Sequence, residues 1–397
     1  MKILQINSVY KVGSTGRIAK ALNDLIIKNG WQSYIGYGRG EHSDENAIKI
    51  GTKTDMFLHG LGTRLLDRHG LFSKKATKQF IDTIDKLDID IFHLHNIHGY
   101  YLHYPTLFKY FREKKVIWTL HDTWPFTGHC AHYDYIGCDK WQTVCHNCPQ
   151  TKRYPASLFV DNSKNNFLLK KELFSSLKDL TIVTPSRWLS DEVKKSFLSD
   201  FPVQVIHNGI DLEQFRYREG DFQRKYSIEN KFIILGVANV WDERKGLKYF
   251  VELSKIIDKN DQIVIVGLTK EQKSDLPENI IGITQTDSVQ ELVEIYSSAD
   301  VLVNPTLEDN FPTTNLEALA CQTPVITFRT GGSVEAIDDQ TGIVVTKGDT
   351  DGLLQGIETI KTWEPTITTQ ACRHRAETFF DKDKNFQKYI EFYKERV

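Results

Sequence analysis

Residues 301–328 read VLVNPTLEDNFPTTNLEALACQTPVITF. The apolar run Val301–Asn304 predicts a strand; a polar turn follows, then a helix from about Thr314 to Cys321, then a second strand at Pro324–Phe328. Pro312 stands just ahead of the helix, where its fixed φ does no harm, and Thr313, Thr314 and Asn315 offer capping oxygens. Asp309 on the loop and Glu317 in the first turns are separated by seven residues, so one carboxylate sits at the helix mouth and another close by. The first amides of a helix have no partner within it, so the mouth is an anion site, presented at the carboxyl edge of a parallel sheet. A phosphate would bind the amides while a carboxylate accepts sugar hydroxyls. An ordinary α/β crossover with acidic caps would carry the same residues.

Outward from this stretch, apolar runs alternate with helix-length segments. Strands are expected near Ile3–Ile6, Ser33–Tyr37, Ile91–Leu94, Val116–Leu120 and Thr181–Thr184, and then near Val203–Ile206, Phe232–Val237, Ile263–Val266, Ile281–Ile283, Val301–Asn304, Val325–Phe328 and Ile343–Val345. Continuous apolar strands joined by crossovers argue for parallel sheets covered on both faces. Twelve strands and 397 residues fit two doubly wound α/β domains better than one sheet. The break is placed near Asp200–Gln204, giving domains 1–200 and 201–375 and a last helical segment 376–397.

Hydrophobic residues make up 40% and charged residues 26%, as in a soluble globular protein, and a net charge of -2 gives no global reason to expect nucleic acid as a partner. The opening MKILQIN is an apolar strand rather than a secretion signal, and no run of about 18 apolar residues offers a membrane span. A cytosolic protein is expected. Residues 59–80, HGLGTRLLDRHGLFSKKATKQF, carry five Lys/Arg against the single acid Asp67. They read either as a solvated helix face or as a basic amphipathic face for an anionic acceptor or membrane surface, which leaves open a peripheral place on the inner plasma membrane.

The first loop, NSVYKVGSTGR (Asn7–Arg17), leads into a helix beginning near Thr15. Gly13 and Gly16 allow close approach of a ligand to backbone amides, and Ser14 and Thr15 can cap. His93 and His95 alternate along a strand with His98 just beyond, and His121 and Asp122 end the next strand; both groups read as lining a cleft at the strands' carboxyl ends. Cys130, Cys138, Cys145 and Cys148 fall within nineteen residues of an insertion at about 129–150, with His129, His132 and His146 among them. In a chain without a secretion signal, this reads as a structural zinc knuckle or as four reduced thiols. Cys321 and Cys372 read as buried packing residues.

The acid, seven residues and Glu within NFPTTNLEALACQTPVI resemble the donor-site signature of retaining GT-B glycosyltransferases of family 4, in particular the bacterial exopolysaccharide and colanic-acid-type branch. HNGIDLEQF (His207–Phe215), the Pro-Ser pair ending at Ser186 and the loop GVANVWDERKG (Gly236–Gly246) resemble other segments of that family. The resemblance implies a GT-B fold: two Rossmann-like domains facing a cleft, an N-terminal acceptor domain, a C-terminal nucleotide-sugar domain and a last helix returning to the first.

It implies transfer from a UDP- or GDP-linked sugar to a saccharide or lipid-linked saccharide acceptor, with retention. Lys245 matches the family's lysine, Asn239 stands where an arginine is usual, and Arg244 is the candidate to replace that charge. Lys245 and Arg244 would hold the diphosphate, with the amides at Thr313–Thr314 and the Gly13–Gly16 loop. Glu317 would hold the ribose. His121 would touch the donor sugar. The family's first acid is usually Glu; here Asp309 takes that place by alignment through Asn310 and Phe311, with Glu308 one residue early, so either contacts the sugar. Fixed cations and the lack of a DxD-type pair imply that catalysis needs no metal cofactor. A GT-B epimerase or phosphorylase, a non-catalytic nucleotide-binding protein and a zinc-centred hydrolase are the rival readings.

Overall fold

The computed structural model describes residues 1–396. The chain divides into two compact units, residues 1–206 with 386–397 and residues 207–385. The first contains strands β1 (Lys2–Val9), β2 (Gln32–Arg39), β3 (Ala47–Lys49), β4 (Ile91–Leu94), β5 (Lys115–Thr119), β6 (Asp179–Thr184) and β7 (Val203–Val205). They form one sheet in the order β3-β2-β1-β4-β5-β6-β7, parallel throughout. The second contains β8 (Phe232–Val237), β9 (Asp261–Val266), β10 (Ile280–Ile283), β11 (Val301–Asn304), β12 (Val325–Phe328) and β13 (Gly342–Val345). Their order is β10-β9-β8-β11-β12-β13, again all parallel.

The sequence pattern accounts for this arrangement. Central strands such as β4, β11 and β12 are buried along their whole length because helices cover both faces. Alternate side chains serve opposite faces: Leu4, Ile6, Phe92 and Leu94 join one core of the first unit, and Ile3 and Ile91 the other. The second core is completed by helix Lys382–Glu395, whose Phe386, Tyr389, Ile390 and Tyr393 pack against Ile3, Ile117 and Val183. The last helix thus returns to the first unit.

Three boundaries differ from expectation. Val203–Val205 is an edge strand of the first sheet, paired with β6 at Ile182↔Val203, so the units divide after Ile206 rather than near Asp200–Gln204. Helix Pro365–Phe379 stays with the second unit, where Cys372 and Ala376 are core residues, and the return to the first unit begins at Phe386 rather than 376. β3 was not anticipated; its three half-buried residues are too few for a periodic signal. Among the described residues no helix is long and apolar enough to cross a membrane.

Candidate active site

In the second sheet the strand order reverses between β8 and β11: β9 and β10 lie to one side, β12 and β13 to the other. Loops leaving neighbouring strands in opposite directions open a crevice at such a point. The loops there are residues 238–246 after β8 and 305–312 after β11. Asp242 accepts a hydrogen bond from the Lys245 amide at 3.1 Å, and Gly246 turns the chain with φ +78°. A side chain at Gly246 would meet the Pro305 carbonyl at 2.2 Å, so the two loops touch only because this residue is glycine. Lys245 forms an ion pair with Asp309, and Arg244 donates to the Glu308 carbonyl at 2.7 Å. Asn239 is exposed on the same loop.

The chain from Asp309 into helix Thr313–Ala320 differs from expectation in its capping. Pro312 occupies the N-cap position and no side chain caps the helix. Asn315 is instead buried, accepting from Asn304 at 2.8 Å and donating to Ser333. Thr313 and Thr314 stay partly exposed, so the helix mouth faces outward uncapped. Glu317 accepts from the Tyr296 hydroxyl at 2.8 Å; burial first, and this carboxylate second, push the phenol well above its ordinary pKa. Asp309 remains partly exposed and Glu308 is fully buried. The Phe311 ring stacks on His207 at 4.8 Å within the core, so its place is structural.

A participant not singled out from sequence is the loop Thr330–Gly332. Gly332 donates to the Asp309 carbonyl at 3.0 Å, and a side chain on Gly331, φ +49°, would lie 2.0 Å from that oxygen. The Gly-Gly pair after β12 was the available signal. A cavity of about 1050 Å³ in the second unit lies elsewhere, near Asp300 and Pro324 at the amino ends of β11 and β12.

In the first sheet the reversal falls between β1 and β4. The loop after β1 carries Gly13, exposed with φ +66°, and buried Gly16, whose carbonyl accepts from the Lys11 amide at 3.1 Å. The helix begins at Gly13, not near Thr15, and no side chain caps it. His121 at the end of β5 stacks on His95 with 3.0 Å between ring nitrogens, and His95 reaches Gln5 at 3.1 Å. Burial holds His121 neutral, its pKa lowered to about 4. His98 and Asp122 pair at 2.7 Å, and the other His98 nitrogen meets the Tyr154 hydroxyl at 2.9 Å. Asp122 is charged despite burial because His98 faces it. Tyr154, 56 residues from His98, gave no sequence signal. His93, by contrast, is buried between Tyr393 and Thr119 and serves the core.

Segment 59–80 is not one basic face. Two helices, Lys53–Leu66 and Lys74–Ile84, flank a turn where Asp67 is buried against His129. The first helix exposes Phe57, Leu58, Leu61, Leu65 and Leu66, and the Leu158 amide donates to the Arg64 carbonyl at 2.8 Å, placing exposed Leu158 and Phe159 beside it. Arg64, Arg68, Lys74, Lys75 and Lys78 are exposed around them. The four clustered cysteines line one small cavity. No three His, Cys, Asp or Glu side chains among the described residues are already gathered as a metal site. Cys321 and Cys372 are buried packing residues, as expected.

Two doubly wound parallel sheets, with the last helix returned to the first, constitute the GT-B class of architecture. The family model described as Glycosyltransferase Family 4 matches residues 26–214, and the one described as Glycosyl transferases group 1 matches residues 231–362. A putative colanic acid biosynthesis glycosyl transferase of Escherichia coli, WcaC, is 24% identical over 89% of this chain and 90% of its own. Among solved structures, sucrose-phosphate synthase from Thermosynechococcus elongatus superposes with TM-score 0.71 at 17% identity, covering 99% of this chain and 98% of that one. Anabaena Alr3699/HepE in complex with UDP-glucose gives 0.69 at 14% identity over the whole of both chains. The chain belongs to the GT-B glycosyltransferases of family 4.

Proposed function

We propose that the protein transfers a sugar from a nucleoside diphosphate sugar, with retention and without a catalytic metal, to a saccharide or lipid-linked saccharide in bacterial surface polysaccharide assembly. The observation that carries this reading is the cluster of Lys245, Arg244 and Asp309 beside an uncapped helix mouth at a switch point. Lys245 and Arg244 would neutralise the diphosphate, and the amides at Thr313–Thr314 would bind its oxygens, stabilising charge where it grows. Asp309, partly exposed, is better placed for the sugar hydroxyls than buried Glu308. Glu317 would hold the ribose, oriented by Tyr296. As the bond from C1 to the diphosphate breaks, the acceptor oxygen would bond C1 on the same face and pass its proton to the departing diphosphate oxygen. The relative solved with UDP-glucose favours a uridine nucleotide, and the colanic acid relative favours a polysaccharide acceptor.

Titration calorimetry of UDP, GDP and ADP, with no divalent metal added, tests the site. One nucleotide is expected to bind, and Glu317→Ala to weaken it by about 1–3 kcal/mol, the scale of a hydrogen bond to a charged group. Binding to none of the three would remove the transferase reading.

The acceptor unit is proposed to rest on an anionic membrane surface through Phe57, Leu58, Leu61, Leu65 and Phe159, with the surrounding Arg and Lys residues meeting headgroups. Sedimentation with phosphatidylglycerol vesicles, lost in Phe57→Ser/Phe159→Ser, is the expected outcome. Equal sedimentation of the variant would contradict it.

A further inference from the structure

We infer that Cys130, Cys138, Cys145 and Cys148 together bind one zinc ion as four thiolates, and that Lys170 is its buried countercharge. The inference is independent of the donor chemistry proposed above.

The four thiols come from a 19-residue stretch with little regular structure, folded into short turns at Asp134–Ile136 and Lys140–Gln142. All four nevertheless line the same cavity, which is small, about 20 Å³. Cys130 is buried and Cys138, Cys145 and Cys148 are half-buried around it. The Gly128 amide already donates to the Cys145 sulfur at 3.2 Å, the kind of outer contact that orients a thiolate ligand. A side chain at Gly128 would collide with the Ser163 carbonyl at 2.2 Å and with Cys145 Cβ at 2.7 Å, so this approach requires glycine.

The histidines are disposed otherwise. Both ring nitrogens of His129 are engaged, Nδ1 with Asp67 at 2.5 Å and Nε2 with the Arg153 carbonyl at 3.4 Å. His146 lies exposed at the cavity rim. His132 is not among the residues that line the cavity, so the ligand set is sulfur alone, the set of a closed, structural zinc site rather than a catalytic one.

Lys170 supplies the second, independent observation. Its side chain is buried, and its ammonium donates to the Trp124 and Thr127 carbonyls at 2.7 and 3.0 Å and lies 3.4 Å from the centre of the Trp124 ring. Carbonyl oxygens and a ring face are the partners that the ammonium has there, and it makes no ion pair with a carboxylate among the described residues. A buried cation needs a countercharge. Four thiols that each lose a proton to solvent on binding Zn²⁺ leave a site of net charge minus two, which Lys170 half neutralises. The thiols are not yet gathered about a common centre, so the ion would draw them inward to about 2.3 Å, the ordinary Zn–S distance.

Elemental analysis of the full chain, purified without chelator, is expected to give one zinc per chain. The metal should be lost in Cys148→Ser and in Cys130→Ser, and retained in His146→Ala. Should the cysteine variants fail to fold, cobalt reconstitution of the wild type reads the same site through the visible bands of a tetrahedral tetrathiolate. Lys170→Met should weaken zinc about 10–100-fold in competition with a chromophoric chelator, the usual scale for an outer-shell partner. A wild-type chain that carries no zinc, takes up no cobalt and presents four thiols to a thiol reagent would overturn the assignment. So would zinc retained in both cysteine variants.

Discussion

Lys245 and Asp309 form an ion pair, so on the proposed reading donor binding would divide them, the ammonium turning to the diphosphate and the carboxylate to the sugar. On that reading the positive charge would be in place beforehand, and its interaction would strengthen as charge accumulates on the diphosphate. Lys245→Ala is accordingly expected to lower kcat about 100–1,000-fold, the range for removing one preorganised charge or donor, with a smaller change in donor Kd. Initial rates at saturating donor beside calorimetric Kd values check this. Losses of equal size in both would make Lys245 a ground-state binding residue instead. Gly331 and Gly332 bring the next loop onto the backbone of Asp309.

At the scale of elements, helix Lys382–Glu395 closes one face of the first sheet. Tyr393 meets His93 Nδ1 at 2.6 Å, Thr119 meets Nε2 at 2.8 Å, and Tyr389 reaches Thr119 at 3.2 Å, all fully buried. Tyr393→Phe strands one imidazole nitrogen away from water. The expected loss is about 1–3 kcal/mol, read as a lower urea midpoint. An unchanged midpoint would show that His93 finds another partner. This element also shows what the sequence could and could not convey. The central strands were legible because continuous Ile, Val and Leu runs permit little else, and the helix mouth at Thr313 because Pro312 and the spaced acids mark it. The uncapped state of that mouth was not legible, since Asn315 spends its side chain on Asn304 and Ser333, partners 11 and 18 residues away. Nor was the edge place of Val203–Val205, because whether an edge strand opens one sheet or closes another depends on pairing rather than on its own residues.

Across the whole molecule, histidines buried as neutral rings set a dependence on acidity. Burial lowers His59 and His93 to about 3 and His103 and His121 to about 4, and takes His69 and His95 well below the ordinary 6.5. The unfolded chain would protonate all of them near 6.5. Their contribution is thus complete above that pH and is lost as pH falls from 6.5 toward 4. His129 works the other way: burial lowers its pKa but Asp67 more than compensates, so it stabilises below 6.5. One opposing histidine does not offset six, and the urea midpoint is expected to drop clearly between pH 7 and pH 5. A flat profile over that interval would mean that the rings are solvated.

The returning helix has a consequence in time as well as in space. Ile3, Ile117 and Val183 leave the ribosome long before Tyr389, Ile390 and Tyr393, which cover them. The first unit must therefore wait for the whole second unit to be synthesised before one face of its sheet is closed. During that interval a strip of apolar strand surface is open to chaperones, or to a neighbouring nascent chain on the same message. A chain cut short near residue 386 would leave the second unit whole and damage the first, whose other residues are all encoded before the second unit begins.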